Sequence, residues 1–409
     1  MGNDHTPGVR FPGFSGDWDE RKLGDLVIDV GRPLKMVDDD NYQLVTVKRR
    51  NGGIVSRGIY KGSEVLVKSQ FIIKTGDYLI SKRQVVHGAN GIVPEFLDGS
   101  IVSNEYLVLH GTKDLSIEFF SLISELPSMY KMFFLSSYGV DIEKLVFNVL
   151  DWKKRKIPVP SILEQNQITS FVNAINNAIA IHHQELTTLR QTKQGFLQKM
   201  FPKEGESVPE VRFPGFTDAW EQRKLGEVAE IKDSARIPNS KWQVEGVPYL
   251  RSSDLSSSRI GGELFLSIED YEAYAQKTGV PEIGDLLFAS GGDIGLAVYK
   301  DNDTPVYVQG GSILYVKTSK SKSLLGLFLK YAFESPKVLS YIKGASTGTS
   351  LKHFVLKPAN ALPISFPTLI EQQKIGEFFN QLDHLITLNQ RELEVLQVTK
   401  KAFLQKMFV

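Results

Sequence analysis

The chain has 409 residues, 42% of them hydrophobic, and its 48 Lys and Arg against 47 Asp and Glu leave a net charge of +1. That hydrophobic content is enough for ordinary cores and excludes a disordered chain. Near-neutrality excludes nucleic-acid binding by bulk charge alone, so any DNA surface must be local or shared with a partner. The absence of cysteine removes disulfides, thiolate zinc sites and cysteine nucleophiles together, and fits a reducing, cytoplasmic setting. No apolar run approaches a membrane span; the best, residues 324–333, is short and broken by Lys330. The N-terminus carries no signal-peptide pattern.

Val9-Arg10-Phe11-Pro12-Gly13-Phe14 opens the chain with turn chemistry, followed by Trp18 and Arg21-Lys22-Leu23-Gly24. Up to about residue 160 the pattern is short strands and turns. Strands are expected at 42–47, 70–74, 78–80 and 101–109, with Gly76-Asp77 as a turn. Residues 115–134 read as helical, interrupted near Pro127, which makes this an α+β domain. Pro158 and Pro160 end it. A helical pattern of about 39 residues follows, roughly 58 Å at 1.5 Å per residue. With Ile168 at heptad position a, the series continues through Ile175, His182, Leu189 and Phe196. A helix this long and one-sided requires a partner helix.

The same words then return. Val211-Arg212-Phe213-Pro214-Gly215-Phe216 repeats the opening at an offset of 211 − 9 = 202, with Trp220 and Arg223-Lys224-Leu225-Gly226. Glu371-Gln372 repeats Glu164-Gln165, an offset of 207, and Phe403-Leu404-Gln405-Lys406-Met407-Phe408 repeats 196–201. A second long helix places Ile375, Leu382, Asn389, Leu396 and Phe403 at position a. His182 and Asn389 fall at the same heptad position, where a polar residue fixes register at some cost in stability. Solvated or seam histidines are the expectation at 182–183, and no metal ligand set is apparent. The organisation is therefore a first globular domain (1–160), a first long helix (161–202), a second globular domain (203–366) and a second long helix (367–409). In the second domain strands are expected at 247–250, 284–288 and on through Val316, with a helix near 323–342.

Aligned on Gly76-Asp77 and Gly284-Asp285, the scaffold words persist while the polar tips change. A recognition surface on a kept scaffold diverges in this way. The candidate DNA-binding residues are Lys48, Arg49 and Arg50 beside Gly52-Gly53, with Lys82, Arg83, Gln84 and the nearby His87. In the second half they are Arg251, Ser253, Arg259 and Ser290, then Thr347 and Lys352 with His353. Arginine suits guanine O6 and N7, and lysine, hydroxyl and backbone NH groups suit phosphate. Each of these segments also reads as a solvated turn. Lys153-Lys154-Arg155-Lys156 is a further cationic run, either a solvated face or a subunit or DNA contact.

Catalytic motifs are missing. There is no phosphate-binding Gly-x-x-x-x-Gly-Lys-Ser/Thr, and Gly291-Gly292-Asp293-Ile294-Gly295 does not space as a dinucleotide loop. Carboxylates are scattered rather than paired. The chain is expected to be no enzyme, with no catalytic and no metal-binding residues.

The doubled Phe-Pro-Gly-Phe…Trp…Arg-Lys-Leu-Gly openings, Glu-Gln helix entries and Phe-Leu-Gln-Lys-Met-Phe ends resemble the specificity subunit of type I restriction-modification systems, over essentially the whole chain. The resemblance implies two tandem α/β target-recognition domains, each followed by a long helix, with the helices packed as an antiparallel coiled coil. Each domain would read one half of a bipartite site in double-stranded DNA, and the helix pair would set the spacing. Two modification (methyltransferase) subunits carrying S-adenosylmethionine, and restriction/translocase subunits using ATP and Mg, would be the partners. No cofactor would bind this chain and no membrane would be involved. A stand-alone architectural or regulatory protein bridging two DNA sites is the alternative.

Overall fold

The computed structural model describes residues 6–256, 259–260, 262–346 and 352–408, apart from the side chains of residues 256, 259 and 260. The chain forms two units, one comprising residues up to 180 with those from 395, the other Ile181–Glu394. Two long helices, Ile162–Lys199 and Leu369–Met407, each contribute residues to both.

In the first unit a four-stranded antiparallel sheet has the order Val27–Asp29, Tyr106–Gly111, Tyr78–Ser81, Asn90–Ile92. Alternation along its strands fills two cores. Tyr78, Ile80, Leu107 and Leu109 pack with Phe119, Phe133 and Trp152, under the helices Ile117–Ser124 and Pro127–Leu135. Leu79 and Val108 point the other way, to Val45, Val47 and Val102 of a five-stranded sheet. The expected strand at 101–109 is in fact two. Ile101–Ser103 belongs to the five-stranded sheet and Tyr106–Gly111 to the four-stranded one, because the chain turns at Asn104-Glu105.

The second unit repeats the four-stranded order with Ile231–Asp233, Ile313–Val316, Leu286–Ala289 and Ala297–Tyr299. Leu286 and Phe288 face one core, Leu287 and Ala289 the other. The parallel pairing of Asn41–Val47 with Ile101–Ser103 in the first unit is matched by Val247–Leu250 with Tyr307–Val308. The middles differ. The first unit continues Asn41–Val47 into a long hairpin with Ile54–Lys61. The second inserts a helix, Ile268–Thr278, which went unpredicted. The helix expected at 323–342 is two, Gly326–Glu334 and Pro336–Ala345, divided where Pro336 starts a new first turn.

The repeated words meet in space within each unit. In the first, Arg10 holds Glu164 through two hydrogen bonds of 2.6 and 2.8 Å. Gln165 donates to the carbonyls of Asp114 and Pro160 and accepts from the Ser116 amide. In the second, Arg212 holds Glu371 at 2.6 and 2.9 Å, and Gln372 makes the equivalent bonds to Ser323, Pro367 and Leu325. Trp18 packs on Phe408 and Phe119, and Trp220 on Phe201 and Phe328. Each unit is thus closed by the start of one long helix and the end of the other.

The helix segments run antiparallel in each unit. In the first, Phe171 lies 4.6 Å, centroid to centroid, from Phe403. In the second, Glu185 accepts a 2.9 Å hydrogen bond from Asn389, and Phe196 packs edge-on against Phe378. All ten expected seam residues are turned from solvent. Ile168, Ile175, Ile375 and Asn389 are buried, and His182, Leu189, Phe196, Leu382, Leu396 and Phe403 are partly so. The seam of the second unit also carries a half-buried ionic network. Lys193 bridges Glu334 and Asp383, and Asp383 accepts from Lys330 and Tyr331.

Candidate nucleic-acid interface

The first unit brings three sequence-distant loops together. The hairpin between Asn41–Val47 and Ile54–Lys61 turns at residues 49–52, closed by the Gly52 amide donating to the Arg49 carbonyl. Arg50 (φ 57°) and Asn51 (φ 53°) both take the left-handed conformation of a type I′ turn. Their amides donate to the carbonyls of His87 and Gly88, so the tip is clamped onto the loop that follows Tyr78–Ser81. Arg49 Nε donates to Gln84 Oε1 at 2.7 Å, and its Nη2 to Glu143 Oε2 at 2.5 Å. Glu143 lies in the third loop, between the short strands Ser137–Tyr138 and Val146–Phe147. That loop is anchored by the Phe147 amide on the Lys82 carbonyl.

Lys82 Nζ donates to the Asn104 carbonyl at 2.6 Å. Arg83 pairs with Glu105, whose hydrogen bond raises the arginine pKa further above its ordinary value. Lys48 lies exposed at the base of the turn. The predicted cations of this half therefore share one surface, and two of them, Arg49 and Arg83, already face carboxylates.

The run at 153–156 is different. Lys153 pairs with Asp29, Arg155 with Asp151 and Lys156 with Glu20, so three of its four cations bind the unit to itself. The repeated Gly-Asp turns are also structural. Asp77 is buried beneath the sheet; burial raises its pKa, but the Arg32 guanidinium and the Lys74 amide outweigh that and hold the carboxyl low. Asp285 takes Lys317 in the same place.

In the second unit the corresponding loops also converge, with other chemistry. Asp254 accepts from the amide, Nε and Nη2 of Arg251 at 2.8–3.1 Å and raises that arginine's pKa, fixing it on the short turn Ser252–Asp254. The Ser252 amide donates to Ser312 Oγ, and the Ser290 amide to the Ser312 carbonyl. The Phe354 amide donates to the Ser290 carbonyl, as Phe147 does to Lys82. Gly291 presses on the His353 imidazole so closely that a Cβ would lie 2.7 Å from its Cε1. Ser253 and Lys352 are exposed.

Ser290 needs correction as a contact residue. Only 1% of it is exposed and both its backbone groups are engaged, so the accessible surface there is Gly292-Asp293. Arg259 lies in a two-residue strand paired with Leu255–Ser256, and its side chain is outside the described residues. Thr347 also lies outside the described residues.

Glu143, Glu105 and Ser312 were not anticipated. A signal for the first existed. Carrying the offset of 207 back from residues 346–353 lands on 346 − 207 = 139 to 353 − 207 = 146, the loop that holds Glu143. Among the described residues no group of three or more acidic, His or Cys side chains is placed to hold a metal, and no helix is long and apolar enough to cross a membrane.

Residues 15–191 and 217–398 match the family model described as the type I restriction modification DNA specificity domain. The type I restriction enzyme MjaVIII specificity subunit of Methanocaldococcus jannaschii is 25% identical, over 96% of this chain and 92% of its own length. Among solved structures, the type I restriction-modification system S subunit from M. genitalium aligns over 99% of both chains with a TM-score of 0.60 at 15% identity. A chain from a study of complex assembly and conformational transition in the type I R-M system aligns over 98% of both with a TM-score of 0.50 at 20% identity. At these identities the structural likeness shows the fold.

Proposed function

The chain belongs to the type I restriction-modification DNA specificity family, and from that premise we propose that its two units read the two parts of one bipartite double-stranded DNA site. The observation that carries this is the kept scaffold with exchanged loop tips. Around the same four-stranded sheet order, converging loops carry Arg49, Gln84 and Glu143 in one unit and Arg251, Ser253 and His353 in the other. Hydroxyls and lysines at the tips hold phosphates and register, and side chains reaching base edges give sequence. Different tips then mean different half-sites.

The helix pair sets the gap. Helices of 38 and 39 residues span roughly 57 Å at 1.5 Å per residue. Half-site separation must follow the distance between recognition elements. The chemistry belongs to partners: two modification subunits with S-adenosylmethionine for adenine methylation, and restriction/translocase subunits with ATP and Mg for cleavage. This chain supplies address rather than reaction, and partner surfaces supplement a body with a net charge of +1.

The test is single-molecule sequencing of methylated adenines in cells with and without the chain. A two-part motif with a fixed gap is expected only in its presence. Adding one helical turn, about 5.4 Å, to both long helices should widen that gap and leave both half-sites unchanged. An unchanged gap overturns the ruler.

A further inference from the structure

We infer that Glu143 is a specificity-determining residue. Resting on the reading above, the inference is that Arg49 reads a guanine while the Glu143 carboxylate requires an exocyclic amino group, cytosine N4 or adenine N6, at the adjoining position. Stability does not account for the Arg49–Glu143 pair. Its side chains are 48% and 52% exposed, and an exposed ion pair contributes little to stability. Yet three loops, 35 and 94 residues apart in sequence, are brought to this one guanidinium. The tip that carries it keeps two consecutive non-glycine residues in the left-handed region, where Asn-Gly would fold the same turn with less strain. Strain kept at an exposed tip points to a surface shaped for a ligand.

The chemistry of that surface is specific. Gln84 fixes Nε of the guanidinium, and Glu143 takes Nη2 through Oε2 at 2.5 Å and Nη1 through Oε1 at 3.5 Å, which leaves one N–H on each Nη. A guanidinium has five N–H donors, so others remain for the O6 and N7 acceptors of guanine. Beside it the carboxylate has only acceptors. An amino group from cytosine or adenine satisfies it, whereas thymine O4 or guanine O6 sets acceptor against acceptor. Discrimination thus includes a repulsive element, not only an attractive one. His87 Nε2 is buried 3.6 Å from Glu143 Oε1 and lacks a hydrogen-bond partner among the described residues, so the carboxylate is also backed by a donor-capable ring.

The experiment measures binding by the chain assembled with its methyltransferase partner to duplexes carrying each base at each position of the first half-site. For the wild type, the position next to the guanine should favour C or A over T and G by about 10- to 100-fold. Glu143→Gln offers both a donor and an acceptor, so this preference should fall below about threefold while the guanine requirement and the second half-site stay unchanged. Arg49→Ala should do the converse and relax the guanine position. A Glu143→Gln profile identical to the wild type overturns the inference, as does a change confined to the guanine position. A wild-type assembly without a two-part motif instead overturns the function proposed above, so the two failures are distinguishable.

Discussion

At the residue scale, the hairpin tip sets backbone strain against recognition. Arg50 and Asn51 both hold φ near +55°, a conformation that costs an L residue roughly 1–2 kcal/mol outside the Asn, Asp and Gly types. The double replacement Arg50→Asn, Asn51→Gly gives the favoured type I′ pair. It is expected to stabilise the first unit by about 1 kcal/mol, read as a raised melting temperature. It should also weaken DNA binding evenly across sequences, with a smaller salt slope, because one cation leaves the surface. A melting temperature that falls would show that the turn is not strained. The basic character of this tip was legible from Lys48-Arg49-Arg50-Asn51-Gly52-Gly53. Its acidic counterpart was not, because Glu143 reaches Arg49 only through a tertiary contact that no local pattern encodes.

At the element scale, the long helices were the most legible feature. A stripe of five heptad a positions in each helix, apolar except at His182 and Asn389, calls for a partner helix, and the ten seam positions are turned inward. The strands were less so. Ile101-Val102 and residues 106–109 are apolar on either side of Ser103-Asn104-Glu105, a polar break that an expected single strand passes over and at which the chain turns from one sheet to the other. The helix Ile268–Thr278 escaped because its apolar face, Tyr271 and Tyr274, is sparse among charges. The seam's ionic network was also invisible, since Lys193, Lys330 and Asp383 sit on three separate helices.

That network carries a stability prediction. Asp383→Ala leaves the buried Lys330 without its carboxylate, while Lys193 keeps Glu334, and should cost about 3 kcal/mol in denaturant unfolding of the whole chain. Burial pushes the Asp383 carboxyl up, but Lys330 and Lys193 outweigh it and hold the folded-state pKa below the ordinary value. A lowered carboxyl pKa contributes stability that is fully present above about pH 4 and is lost as pH falls through the folded value. Wild-type protein should therefore lose stability below about pH 4 more steeply than Asp383→Asn. Equal acid sensitivity of the two would place the network outside the pH dependence.

At the scale of the whole molecule, the duplication acquires a physical meaning. The repeated words are closure and scaffold. Arg10 with Glu164, and Arg212 with Glu371, tie each opening to a helix entry, while Trp18 and Trp220 cover the helix ends. The divergent segments carry the candidate recognition loops. On the proposed reading, exchanging one divergent segment changes one half-site and leaves the other undisturbed. The most direct measurement is the methylated-adenine motif produced when residues 30–155 are exchanged for the equivalent segment of another specificity subunit. The account predicts that one half-site changes while the other half-site and the gap remain. A motif altered in both half-sites, or in neither, would contradict it.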